Sequence, residues 1–192
     1  KKNNAEMRFI NLGENFKRNG EYPYRGLRGD DIPDDLRILR LEDMFSYLES
    51  EGRLYDFIYS IEIKYPHPWA PKMLKEVYRI VEENDLSENV IIGSFWPDVI
   101  LYFDRHYGGK MHRYAGMFEI LDLYRSYYLK EDLSNKDFGY IAMSLPYYED
   151  DGKQLVANLG ISGFIDYAHK YGIAMHYWTV DSKTDAEALV GL

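Results

Sequence analysis

The hydrophobic positions of this chain follow two periods, that of a β-strand and that of an α-helix. Short runs with strand spacing alternate with longer stretches that have helical spacing. The strand-like runs are rich in β-branched and aromatic residues. They lie at about 54–64, 90–95, 114–119, 138–143 and 173–180, and the third has the weakest pattern. Helical stripes precede the first run, separate successive runs and follow the last one. They begin near residues 41, 71, 97, 119, 162 and 182.

This alternation predicts right-handed βαβ units and a parallel sheet. The run Val90–Phe95 carries no charge, which predicts a strand with both faces covered. A (β/α)₈ barrel has eight strands and typically about 250 residues, whereas this chain shows five runs. The pattern therefore predicts an α/β fold that is either a smaller open sheet or an incomplete barrel.

Residues 1–37 have no such periodicity and are polar, with several glycines and prolines. They predict a long loop with little regular structure, which is usually functional or linker-like when it belongs to a compact domain. Arg25, Arg28 and Arg37 lie in this loop. Two interpretations stay open for them, contact with an anion or simple solvation at the surface.

Composition excludes several classes of protein. The chain has 192 residues, of which 46% are hydrophobic, and this suits one domain or most of one. A net charge of −9 without a basic block argues against nucleic acid as a partner. The absence of cysteine excludes disulfides and thiolate zinc sites. No secretion signal or bilayer-spanning run is visible, and the location of a longer parent protein stays open between cytoplasm, membrane surface and exterior.

The first strand ends with the most informative charges of the chain, in the tetrapeptide Ile61-Glu62-Ile63-Lys64. Alternate residues of a strand share a face, so Glu62 and Lys64 are predicted to lie side by side. Charges beside an apolar strand are costly to desolvate unless they are paired or bound to a ligand. A structural ion pair and a ligand site are both compatible with this pattern.

Four segments, taken in chain order, resemble the motifs of one protein family. Residues 21–44 resemble a segment that leads into "IPTLEEVL", and residues 61–64 match "IEIK". Residues 90–98 resemble "VIISSF-x-P-D", and residues 167–181 resemble "AHKxGI…WTVN". Through these motifs, nearly the whole chain resembles the glycerophosphodiester phosphodiesterase family. Departures are Leu39-Arg40, where Pro-Thr is common, and Asp181, where Asn is usual.

The resemblance implies a partial (β/α)₈ TIM barrel of the PLC-like phosphodiesterase type. Residues 1–192 would form a single domain truncated at both ends, with residues 1–37 as an insertion loop region. The family's N-terminal "HRG", its Glu-x-Asp pair, its second catalytic histidine and its closing "GVDGIITDRP" strand have no counterpart in this sequence. The resemblance therefore implies three missing strands, in agreement with the five runs counted.

The family hydrolyses glycerophosphodiesters to glycerol 3-phosphate and an alcohol, using a divalent metal (Ca²⁺ or Mg²⁺) and two histidines. The resemblance makes Glu62 a metal ligand and Lys64 a catalytic residue that stabilises negative charge on the phosphate. It places Trp178 as an apolar wall beside the substrate, with Phe95 and Ser94 at the same mouth. Packing roles are an alternative for these three. Because both family histidines are missing, the isolated chain is expected to be inactive and to bind metal weakly or not at all.

Other interpretations stay open. The chain could be a binding or structural module of the same fold that has lost its chemistry, a phospholipase D of the toxin type, or an unrelated α/β protein that binds a small anion. An open sheet exposes its edges, so a homodimer in which two chains cover each other's edges is a further alternative. The histidines are expected at the surface or in packing, and His67 alone follows the key strand. They are His67, His106, His112, His169 and His176.

Overall fold

The computed structural model describes residues 7–146 and 162–191. The chain divides into two compact units, Lys1–Leu54 and Tyr55–Leu192. The acidic stretch 147–153, predicted as a loop, lies outside the described residues. In the part of the chain that the structure describes, no helix has the length and apolar character needed to cross a bilayer.

The first unit is mostly irregular, as the polar composition of its first 37 residues predicts. From residue 7 onward it contains the 3₁₀ turns Gly29–Asp31 and Asp34–Leu36 and one α-helix, α1, at Leu41–Ser50. Asn11 ties the loop together, because its Nδ2 donates to the carbonyl of Tyr24 at 2.7 Å and its Oδ1 accepts from Gly13 N at 2.9 Å.

Each of the three loop arginines has a partner within this unit. Arg28 pairs with Glu14 at 2.8 Å, and Arg37 donates to the carbonyl of Ile32 at 2.7 Å. The guanidinium of Arg25 lies 3.5 Å from the centre of the Tyr22 ring. These contacts favour a structural role for the arginines over an anion site.

The second unit alternates strands and helices. Its strands are β1 (Tyr59–Glu62), β2 (Val90–Gly93), β3 (His112–Arg113), β4 (Ala142–Pro146) and β5 (Ala174–Trp178). Its helices are α2 (Ala70–Glu83), α3 (Pro97–Tyr107), α4 (Met117–Tyr128), α5 (Ser162–Lys170) and α6 (Lys183–Val190). The alternation predicted from hydrophobic spacing is confirmed.

Three strands differ in position from the prediction. β1 starts only at Tyr59, because Leu54–Asp56 forms a 3₁₀ turn, and β3 is a two-residue strand that precedes the predicted 114–119. β4 begins at Ala142 rather than at 138. Before it, Phe138 and Tyr140 pack ring against ring at 5.4 Å in a non-strand segment, and Tyr140 is buried.

Local signals explain where the helices begin. Pro97 opens α3, where the missing N–H of proline costs nothing because the first helical amides have no intrahelical acceptor. Ser182 caps α6, since its Oγ accepts from the backbone N of Asp185 at 3.0 Å. Both starts agree with the sequence prediction.

All observed strand pairings are parallel, and each strand pairs with its neighbour in the chain. One sheet has the order β1-β2-β3 and a second pairs β4 with β5. An isolated parallel bridge joins Tyr114, just after β3, to Ala142 at the start of β4. Within residues 7–146 and 162–191 the strands do not close into a barrel.

One side of the strands is apolar and the other is polar. The apolar side carries Tyr59, Ile63, Val90, Ile92, Met143 and Leu145, which are all buried. The opposite side, called the polar face below, is more polar and carries Ser60, Glu62, Ile91, Gly93, Tyr114, Ser144, His176 and Trp178. On β2 the polar face is only partly buried, so the prediction that both faces of this strand are covered holds for one face alone.

The second unit has a core in which Phe164 of α5 packs among residues of α4 and β4. Its fully buried neighbours include Leu123 and Met143. The rings of Tyr124 and Tyr127 meet Phe164 edge to face, each at 5.6 Å between centroids. Gly163 permits this approach, since a Cβ there would lie 2.8 Å from the hydroxyl of Tyr127.

Candidate functional site

Glu62 and Lys64 lie side by side at the carboxyl end of β1, as strand alternation predicts. The Lys64 Nζ is 3.5 Å from a Glu62 carboxylate oxygen. The side chain of Glu62 is 39% exposed and that of Lys64 is 73% exposed. An ion pair this exposed contributes little to the stability of the fold. Because both side chains already face solvent, a ligand can reach them.

Ser94 connects the end of β1 to the loop after β2. Its hydroxyl donates to the carbonyl of Ile63 at 2.8 Å and accepts from the backbone N of Trp96 at 3.2 Å. The indole Nε1 of Trp96 donates to the carbonyl of Lys64 at 3.1 Å. These bonds hold the backbone around Glu62 and Lys64, and they are compatible with the packing role that is the alternative for Ser94.

Phe95 and Trp178 come together although they follow strands that are not neighbours. Their rings meet edge to face with 5.5 Å between centroids. Phe95 is 50% exposed, so the pair forms an apolar surface that solvent or a ligand can reach. The structure thus groups two of the three predicted substrate-binding residues.

His176 lies on the polar face and is hydrogen-bonded to a tyrosine. Its Nδ1 is 3.0 Å from the hydroxyl of Tyr114. The sequence predicts a surface or packing role for His176, because no partner lies near it in the chain. One signal could have found it, since positions 176 and 178 alternate on the same strand and so share a face with the predicted site residue Trp178.

Three other histidines have contacts elsewhere. The Nδ1–H of His106 donates to the carbonyl of Tyr102 at 2.9 Å, and its ring stacks on the Tyr102 ring. His112 Nε2 lies 3.0 Å from a carboxylate oxygen of Glu88. The backbone N of His67 donates to Asp98 at 3.0 Å, which ties the segment after β1 to the first turn of α3.

A buried arginine supports the polar face from the other side of the sheet. Arg113 of β3 is 2% exposed and donates to Asp104 of α3 at 2.6 Å and to Glu119 of α4 at 2.7 Å. It also donates to the carbonyl of Tyr114 at 3.0 Å. Burial by itself lowers the pKa of Arg113, but hydrogen bonds to Glu119 and Asp104 outweigh burial, so this pKa lies above its ordinary value. The network therefore fixes the backbone from which Tyr114 projects.

Glu62 is a suitable single ligand for a hard cation, but it is not part of a larger group of ligand side chains within the described ranges. Among the described residues, no three histidine, aspartate or glutamate side chains come together as a metal-binding group. Hard cations such as Ca²⁺ take several oxygen ligands, and carboxylate count sets the affinity.

Weak metal binding is the first expected result. Isothermal titration calorimetry of the 192-residue chain with Ca²⁺ or Mg²⁺ should give no binding tighter than about millimolar, because one exposed carboxylate cannot hold the ion against its hydration. A dissociation constant in the micromolar range would contradict this expectation.

No protein-family model matches this chain, and no curated protein matches it either.

Proposed function

We propose that this chain forms part of a (β/α)₈ barrel of the glycerophosphodiester phosphodiesterase type, and that the complete protein hydrolyses glycerophosphodiesters to glycerol 3-phosphate and an alcohol. The observation that carries the proposal is the exposed Glu62–Lys64 pair at the carboxyl end of a parallel strand. In barrels of this class, active residues lie at the carboxyl ends of the strands.

The strand order supports a barrel over a doubly wound sheet. A barrel adds each strand beside the previous one, whereas a doubly wound sheet reverses direction at a switch point. The order here is sequential within both sheets, and the Tyr114–Ala142 bridge continues it from β3 to β4.

Curvature of the strands supports the same conclusion. Phe95 follows β2 and Trp178 ends β5, which stand three places apart in this order, or about 14 Å in a flat sheet. Their rings nevertheless meet at 5.5 Å. Such a contact is typical of strands that curve toward the polar face, as they do around a barrel.

The chemistry follows from the two charges. Glu62 would hold one side of a divalent cation, which when bound neutralises charge on the phosphodiester. Lys64 supplies a fixed positive charge beside it, which stabilises the extra negative charge that develops on phosphate during attack. The Phe95–Trp178 pair offers an apolar surface for the carbon skeleton of the substrate.

The test is hydrolysis of glycerophosphocholine by the full-length parent protein, with Mg²⁺ or Ca²⁺ present. Glu62→Gln is expected to lower kcat/KM about 100-fold, because it removes a negative ligand without changing shape. The 192-residue chain alone should not turn over substrate.

Glu187→Gln is a matched control. Glu187 pairs with Lys183 at 3.5 Å, the same separation as in the Glu62–Lys64 pair, but on the surface of α6. It should leave kcat/KM unchanged. Full activity in the Glu62→Gln protein would overturn the proposal, and binding of glycerol 3-phosphate without turnover would favour a binding module instead.

A further inference from the structure

The Tyr114–His176 pair has the geometry of a preorganised site, in which the tyrosine orients the imidazole of His176. Tyr114 follows β3 and is bridged to β4 at Ala142, whereas His176 lies on β5, so their contact passes across β4 on the polar face. Tyr114 is buried and His176 is exposed. The tyrosine is therefore the fixed member of the pair, and the histidine is the member that a ligand can reach.

Tyr114 is held on both sides. Its ring lies so close to β2 that a Cβ at Gly93 would approach its Cδ2 to 3.2 Å, and the carbonyl of Tyr114 accepts from buried Arg113. A hydroxyl positioned in this way orients the imidazole of His176 with little remaining freedom.

The hydrogen bond also selects the tautomer of His176. When the Tyr114 hydroxyl donates to Nδ1, the ring carries its proton on Nε2. With Nδ1 bonded to Tyr114, Nε2–H is the polar group that His176 offers to a ligand. An N–H donor suits an anionic oxygen.

The position of the pair links it to the predicted site. Glu62 pairs with Gly93 in the strand register, and Gly93 lies against the Tyr114 ring. His176 shares its strand face with Trp178, which contacts Phe95. The pair thus belongs to the same polar face as Glu62 and the Phe95–Trp178 surface.

We infer that His176, oriented by Tyr114, binds a phosphoryl oxygen of the ligand through Nε2–H. This inference rests on the proposed function and adds a phosphoryl-binding residue to it. His176 here is an N–H donor that complements the charge of Lys64, and Tyr114 is a positioning residue that acts through it.

The tautomer is tested first, by long-range ¹H–¹⁵N NMR of the histidine rings in the 192-residue chain at a pH where they are neutral. His106 is an internal reference, because its Nδ1 faces the Tyr102 carbonyl and must carry the proton. We expect Nε2–H for His176 and Nδ1–H for His106. Tyr114→Phe should shift His176 toward a mixture of tautomers and leave His106 unchanged. An Nδ1–H tautomer at His176 in the unmodified chain would overturn the inference.

Ligand binding is tested by adding sn-glycerol 3-phosphate, and in a separate titration inorganic phosphate, while the same resonances are followed. We expect saturable shifts of His176 in the millimolar range, an affinity about tenfold lower in His176→Ala and about threefold lower in Tyr114→Phe. His106→Ala is the matched control and should bind normally. Equal affinity for both probes would show that the phosphoryl group alone is recognised. Tighter binding of glycerol 3-phosphate would show that the glycerol is recognised as well.

The outcomes separate the two proposals. If the ligand shifts Trp178 resonances but His176→Ala binds as well as the unmodified chain, the inference fails and the proposed function stands. If neither probe binds, the inference fails, and the proposed function is then decided by hydrolysis in the parent protein.

Discussion

Replacing Asp104 and Glu119 together by alanine is expected to lower the free energy of unfolding by about 3–5 kcal/mol. Arg113 donates to both carboxylates and is 2% exposed, so the double substitution leaves a buried guanidinium without its anionic partners. Glu119 also accepts from the backbone N of Gly116 at 2.7 Å at the start of α4, which adds a capping contribution. Urea denaturation followed by circular dichroism gives the measurement.

The control is another arginine between two carboxylates. Arg79 pairs with Glu76 and Glu83 on the exposed surface of α2, where the arginine side chain is 40% exposed. Replacing both glutamates by alanine should change stability by less than about 1 kcal/mol, because the guanidinium stays hydrated. The contrast between the two sites isolates the effect of burial.

The effect of Arg113→Met on the free energy of unfolding is expected to change sign between two backgrounds. In the unmodified protein, Arg113→Met removes the hydrogen bonds and destabilises the fold. In the Asp104→Ala, Glu119→Ala background, the same change removes a buried unpaired charge and should restore part of the lost stability. Equal destabilisation by Arg113→Met in both backgrounds would show that the network is not a coupled unit.

Phe164→Ala is expected to cost about 3–5 kcal/mol of unfolding free energy. Its side chain is fully buried among Leu123 and Met143. The substitution also removes two edge-to-face contacts with Tyr124 and Tyr127. The lost unfolding free energy has three sources: less apolar surface is buried, a cavity remains, and the ring contacts are removed.

Phe118→Ala provides the same chemical change on α4 at a residue that is 70% exposed. Its effect on the urea midpoint should correspond to less than about 0.5 kcal/mol. Phe164→Leu should fall between the two, since it keeps most of the apolar volume. A Phe164→Ala protein within about 1 kcal/mol of the unmodified chain would contradict the packing described for this core.

Local signals in the sequence determine the parts of the fold that were predicted well. Pro97 and Ser182 mark helix starts through backbone chemistry that does not depend on the rest of the chain. The shared face of Glu62 and Lys64 follows from strand alternation alone. The misplaced start of β4 has the opposite origin, because partly buried Phe138 and buried Tyr140 satisfy the hydrophobic pattern equally well in a strand or in a packed loop.

Strand alternation predicted the candidate site only where its residues are close in the chain, and the meeting of Phe95 with Trp178 was expected only through the family resemblance. The Glu62–Lys64 pair lies within one tetrapeptide. His176 and Tyr114 meet through the β4–β5 pairing and the isolated bridge between Tyr114 and Ala142. No periodicity encodes that meeting, since it depends on strand register and on the absence of a side chain at Gly93. The hydrogen bond from the Ser94 hydroxyl to the carbonyl of Ile63 was likewise not predictable, because it depends on the pairing of β1 with β2.

The chain-order pairing of the strands affects how the second unit can form during synthesis. Each new strand needs only the preceding strand and one intervening helix, so the segment closed at every step stays short and its entropic cost stays small. Assembly can then advance from β1 toward β5 as the ribosome releases the chain, without waiting for the C-terminus. At each stage the last completed strand is the edge on which the next strand docks. Until that docking occurs, the exposed edge of the nascent chain is available for intermolecular pairing with a strand of another chain.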